Sequence, residues 1–102
     1  MEYQVELRKN VILQYIEDNT TIINKNNREV IESFSIYFSF YGKSYRVDLF
    51  TSTLKSESPN IGLYGDSDLF ESFKSLCEIE LWDDIVKYSN NFIEEYEELY
   101  NE

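Results

Sequence analysis

The stretch Phe34-Ser35-Ile36-Tyr37-Phe38-Ser39-Phe40-Tyr41-Gly42-Lys43-Ser44-Tyr45-Arg46-Val47-Asp48-Leu49 decides how this chain is read. Phe34, Ile36, Phe38 and Phe40 alternate with polar or amphipathic residues, and Tyr45, Val47 and Leu49 alternate with Arg46 and Asp48. A period of two is the signature of a strand with one buried face. The two runs therefore predict an antiparallel hairpin, 33–41 paired with 44–51. Gly42-Lys43 as a two-residue loop with glycine first suits a type II′ turn. That loop sets Phe40 opposite Tyr45, Phe38 opposite Val47 and Ile36 opposite Leu49, with Ser39–Arg46 and Tyr37–Asp48 on the other face. A slip by one residue would set the apolar side chains against polar ones.

Upstream of the hairpin, Thr20-Thr21-Ile22-Ile23 is β-prone and Asn24-Lys25-Asn26-Asn27 is a turn cluster. Residues 2–17 predict a helix, because Val5, Ile12, Tyr15 and Ile16 share a side at helical spacing. The alternation of Tyr3, Val5 and Leu7 makes a strand the rival reading. Downstream, residues 53–67 hold the only proline and two of the three glycines. A connection this long is either functional in itself or lays Ile61, Leu63 and Tyr64 on the core as a short edge strand. Asp68 with Glu71 resembles a capping box, and Leu69, Phe70, Phe73, Leu76 and Cys77 then form one helical face. A last helix over 81–100 has Trp82, Ile85, Val86, Phe92, Ile93, Tyr96 and Leu99 as its apolar stripe. No strong breaker stands between Glu78 and Glu80, so the last two helices could be continuous. The expected architecture is one α+β domain, 1–102: an N-terminal helix, a small antiparallel β-meander and two C-terminal helices, in the order αβββαα.

Composition narrows the chemistry. Without histidine the chain lacks the commonest general base and neutral metal ligand. One cysteine, Cys77, allows neither an internal disulfide nor a zinc cluster, and no imidazole can activate it. Its place on an apolar helical face predicts a core residue. Asp66-Ser67-Asp68 fails the EF-hand pattern and is read first as part of a helix cap, with binding of a divalent cation left open. No glycine-rich phosphate cradle or nucleophile elbow is present, so no catalytic residue and no cofactor are expected. The N-terminus has no basic start followed by an apolar run, and no apolar run approaches a membrane span. A cytoplasmic protein is expected. Absent alanine and abundant Asn, Ile, Lys, Tyr and Phe suit an AT-rich genome, such as that of a low-GC bacterium or its phages.

The formal net charge is −11, and it is not spread evenly. Residues 1–56 carry seven acids and seven bases, whereas residues 57–102 carry thirteen acids against Lys74 and Lys87. Such a chain repels nucleic acid. The expected partner is instead a basic protein. The candidate contact residues are Asp83, Asp84, Glu94, Glu95, Glu98 and Glu102 on the last helix, with Tyr88, Tyr100 and Tyr64 as aromatic anchors. Carboxylates four apart lie about 6 Å apart along a helix, of the order of phosphate spacing along a nucleic-acid strand. They also repel one another and oppose the helix dipole at its C-terminal end.

Low mass, acidity and this expected order of elements are similar to those of small phage-encoded antagonists, including some anti-CRISPR proteins; the likeness lies in general architecture and not in any motif. It implies an inhibitor that occupies a basic, nucleic-acid-binding surface of a partner, such as a nucleic-acid enzyme or a CRISPR effector. The alternatives are an immunity protein that neutralises a cognate toxin, and a small structural protein that assembles with its own copies.

Overall fold

In the computed structural model, which describes residues 2–57 and 59–101, a five-stranded sheet precedes two helices. The strands are β1 (Glu2–Arg8), β2 (Val11–Ile23), β3 (Glu29–Phe40), β4 (Lys43–Phe50) and β5 (Gly62–Gly65). They form an antiparallel meander in chain order, β1-β2-β3-β4-β5. The 3-10 turn Thr51–Lys55 follows β4, and the helices are α1 (Phe70–Glu78) and α2 (Trp82–Tyr100). The order is βββββαα, still α+β, and the helix expected over 2–17 does not exist.

The reason for that correction lies in β2. Val11, Leu13 and Ile16 are the buried residues at its start. A register shift between Leu13 and Tyr15 makes Gln14 an extra residue. One bulged residue moves the inward positions from spacing two to spacing three. Spacings of three and four then arise among Ile12, Tyr15 and Ile16 without a helix. The alternation of Tyr3, Val5 and Leu7 is that of a real strand, with Tyr3 and Leu7 packed against the core. Lys9-Asn10 turns the chain between β1 and β2, and Asn10 adopts φ +65°, a conformation that asparagine tolerates.

The β3–β4 hairpin forms with the expected faces but a different register. Phe38 pairs with Tyr45, Ile36 with Val47 and Phe34 with Leu49, two residues away from the expected partners. The loop is Tyr41-Gly42, with φ +50° and +76°, as in a type I′ turn. A slip of two leaves every side chain on its own face, so alternation excludes a slip of one and is blind to a slip of two. The turn decides, and it places a tyrosine where asparagine or glycine is usual.

At the far end of the β2–β3 hairpin the asparagine cluster turns as expected. The Asn24 side-chain oxygen accepts from the amides of Asn26 and Arg28, at 2.9 and 3.0 Å. The connection after β4 covers the core: Leu54, Ile61 and Leu63 are buried, and the Trp82 indole N–H donates to the Ser56 carbonyl. Tyr64, by contrast, points away from that core and is exposed.

Both helices lie on one face of the sheet. Phe73 of α1 meets Phe38, Phe40 and Tyr45 with ring centroids 4.8–5.4 Å apart. Phe92 of α2 meets Phe34, and Tyr88 meets Tyr3 edge-on. Aromatic pairs in such arrangements add about 0.5–1.5 kcal/mol each beyond their burial. The capping box expected at Asp68 does not form. Leu69, at φ +60°, occupies the N-cap, and no side chain among the described residues caps the helix. Asp66 instead accepts from the Asp68 amide, and the Asp68 carbonyl accepts from the Tyr45 hydroxyl. The two helices are separate, joined through Ile79–Leu81, where the Leu81 amide donates to the Leu76 carbonyl. No helix among the described residues is long and apolar enough to cross a membrane.

Candidate functional site

The acidic residues singled out on the last helix fall into two groups. Asp83 and Asp84 occupy the first turn of α2, where carboxylates stabilise the positive end of the helix dipole. Asp84 is also occupied within the fold: its carboxylate lies 3.0 Å from the Arg8 guanidinium, which donates as well to the carbonyls of Leu7 and Glu80. Its expected place in a partner surface is thus taken by a contact that ties β1 to α2. Asp83 is exposed and, among the described residues, makes no ion pair.

Glu94, Glu95 and Glu98 lie in the other half of α2. All three are exposed and none is in an ion pair among the described residues. No basic residue stands in the last turn. Glu98 stands four residues from Glu94 and three from Glu95, so the carboxylates repel one another, and Glu98, in the last turn, also opposes the negative end of the dipole. Glu102 lies outside the described residues.

Asn101 holds this end of α2 in place. Its side-chain oxygen accepts from the Glu29 amide at 2.6 Å, and its side-chain nitrogen donates to the carbonyls of Glu29 and Glu97, at 2.8 and 3.0 Å. One side chain thus joins the helix end to β3. Beside it the Tyr96 hydroxyl donates to the Glu29 carboxylate at 3.0 Å. Burial, that hydrogen bond and the nearby charges of Glu29 and Asp18 push the Tyr96 hydroxyl up to about 12.

The tyrosines divide similarly. Tyr100 is exposed and stacks on Tyr96, ring centroids 4.4 Å apart, so it stands beside Glu95 and Glu98 in the same groove. Tyr88 is half-buried against Tyr3, with Lys87 over its ring, and serves the packing of α2 on β1. Tyr64 is on β5 beside Arg46, whose guanidinium lies 4.6 Å from its ring centroid. It belongs to the face of the sheet away from the helices and forms no common site with α2.

That outer face also holds residues that the sequence pattern did not single out. Ser35 is buried and lies at the centre of a chain of hydrogen bonds: Asn19 donates to Ser35 and Ser35 donates to Asp48, both at 2.6 Å. Arg46 closes the chain on Asp48 at 2.9 Å. Tyr37 donates to Glu17, at 2.6 Å, and this bond raises its pKa above that of a free tyrosine. Alternation already placed Tyr37, Arg46 and Asp48 on this face. The partners Glu17 and Asn19 come from the part of β2 where the helical spacing of 2–17 pointed to a helix and its end.

Cys77 is fully buried on α1, and burial, followed by the charge of Glu78, pushes its thiol up to about 12. It is a packing residue, not a nucleophile at neutral pH. Among the described residues no three His, Cys, Asp or Glu side chains come together as a metal site. Asp68 instead faces the Lys43 ammonium at 3.7 Å. No family model, curated protein or solved structure matches the chain.

Proposed function

We propose that this chain is a protein-binding inhibitor that applies the C-terminal half of α2 to a basic, nucleic-acid-binding surface of another protein. One observation carries the reading: Glu94, Glu95 and Glu98 are exposed and unpaired among the described residues, in the C-terminal half of a helix where their mutual repulsion lowers stability. A complementary surface would turn that local cost into binding energy and would speed encounter. The wider charge balance points the same way, since all of the net negative charge falls in residues 57–102. The likeness to small phage antagonists rested partly on an N-terminal helix and does not extend to the observed order of elements. The reading stands on charge and geometry.

The test is capture from a low-GC bacterial lysate on the immobilised protein, with stepwise salt elution. It is repeated with a variant carrying Glu94→Lys, Glu95→Lys and Glu98→Lys. A nucleic-acid-binding protein that is displaced by DNA or RNA, and retained about 10–100-fold less well by the variant, supports the proposal. Equal capture by both forms overturns it. A single toxin as the captured protein would make this an immunity protein instead.

A further inference from the structure

A groove runs between β2 and the last two turns of α2. Asp18 on the strand side and Glu95 and Glu98 on the helix side supply carboxylates, and Tyr96, Leu99 and Tyr100 supply apolar surface. Leu99 and Tyr100 are 68% and 57% exposed, so this surface is uncovered. We propose that the groove receives one arginine side chain of the basic partner, its guanidinium among the three carboxylates and its plane against the tyrosine rings. This deepens the acidic-surface reading above and rests on it.

Charge complementarity selects the occupant. None of the three carboxylates is in an ion pair among the described residues. The carboxylate of Glu29 lies behind Tyr96, and the negative end of the α2 dipole adds to the same field. An anion is repelled there, and a neutral apolar ligand would leave the carboxylates unused. A hard divalent cation needs several oxygens converging on one point, and no such convergence of acidic residues occurs among the described residues. A guanidinium uses both features, since it is weakly hydrated, planar and able to donate to several carboxylates while stacking on an aromatic face. The walls are also set in advance. Asn101 ties the helix end to β3, and the Tyr96–Glu29 bond fixes the ring that Tyr100 stacks on. Such preorganisation limits the ordering cost of binding.

The probe is a blocked Gly-Arg-Gly tripeptide, uncharged at its ends, titrated into the isotopically labelled full chain and followed by NMR. Blocked lysine and citrulline tripeptides are run beside it. The arginine peptide is expected to shift the signals of Asp18, Glu95, Leu99 and Tyr100, with the lysine peptide about threefold weaker and the citrulline peptide about tenfold weaker. Asp18→Asn and Tyr100→Ala each weaken the arginine peptide about fivefold or more, with core signals unmoved. Both positions lie outside the charge-reversal triple, so the two proposals fail separately. Shifts spread evenly along α2, equal for arginine and lysine and indifferent to Asp18→Asn and Tyr100→Ala, would overturn the groove and leave the acidic surface standing. Absence of any groove shift would overturn it as well, and lysate capture would still decide the surface reading.

Discussion

Ser89 is the one fully buried residue of α2 that the apolar stripe did not include. It is completely buried between Ile85 and Phe92, and its hydroxyl finds no partner among the described residues. A buried hydroxyl without a partner costs about 1–3 kcal/mol of desolvation, and alanine is the better helix former. Ser89→Ala is therefore expected to stabilise the protein by about 1 kcal/mol, seen as a rise of about 4 °C or more in Tm. An unchanged or lower Tm would mean that the hydroxyl is satisfied in solution. Gly42 in the β3–β4 turn and Gly65 at the end of β5 make a second comparison. A Cβ on Gly42 meets nothing within 4 Å, so only its φ of +76° opposes alanine, at about 1–2 kcal/mol. A Cβ on Gly65 would stand 2.4 Å from the Ser44 carbonyl oxygen, at φ +148°. Gly65→Ala should thus cost more than Gly42→Ala in urea unfolding, and the reverse order would refute the close approach of β5 to β4.

At the scale of elements, α2 is a helix whose two ends are stabilised by different means. Its start has Asp83 and Asp84 in the first turn and the Arg8 contact. Its end has four glutamates in its last seven residues, no basic residue in the last turn, and the side chain of Asn101 as its tie to the sheet. Asn101→Ala removes the hydrogen bonds to Glu29 and Glu97 and should cost about 1 kcal/mol. The amides of Glu98, Leu99 and Tyr100 should then exchange faster, while those of Ile85–Ser89 keep most of their protection. Uniform loss of protection along α2 would show that the helix end is not held independently. The strands teach a related lesson. The buried faces of β3 and β4, though not their register, could be read because their alternation is unbroken, whereas the bulge at Gln14 made the start of β2 resemble a helical pattern. A period is informative only between irregularities, and nothing in residues 2–17 marks the irregularity beforehand.

At the scale of the molecule, the charge of −11 has the widest reach of any feature outside the core. Self-repulsion of a chain far from neutrality destabilises the compact state, and salt screens it over about 10 Å at 0.1 M. Each like-charged pair on α2 costs a few tenths of a kcal/mol. Raising NaCl from about 10 mM to about 500 mM should therefore increase Tm by several degrees. The same change should weaken any captured partner, so stability and binding are expected to respond to salt with opposite sign. If Tm fell with salt, attractive pairs such as Arg8–Asp84 would outweigh the repulsion, and the glutamates of α2 would not be under the strain argued for them.

Several features were determined by the sequence alone, because local periodicity and composition suffice for them. They are the buried face of β3 and β4, the two C-terminal helices with Phe73, Cys77, Ile85 and Phe92 inward, the asparagine turn, and the concentration of acid in residues 57–102. The tertiary structure alone decided the register of the hairpin, since a slip of two residues leaves alternation unchanged. It decided that residues 2–17 belong to the sheet, since their bulge imitates helical spacing. It also sorted the acids: Asp84 turned inward to Arg8, while Glu95 and Glu98 met Asp18 across a groove. No local pattern joins a carboxylate on β2 to two on the last helix. Only burial of the sheet face beneath α2 brings them together.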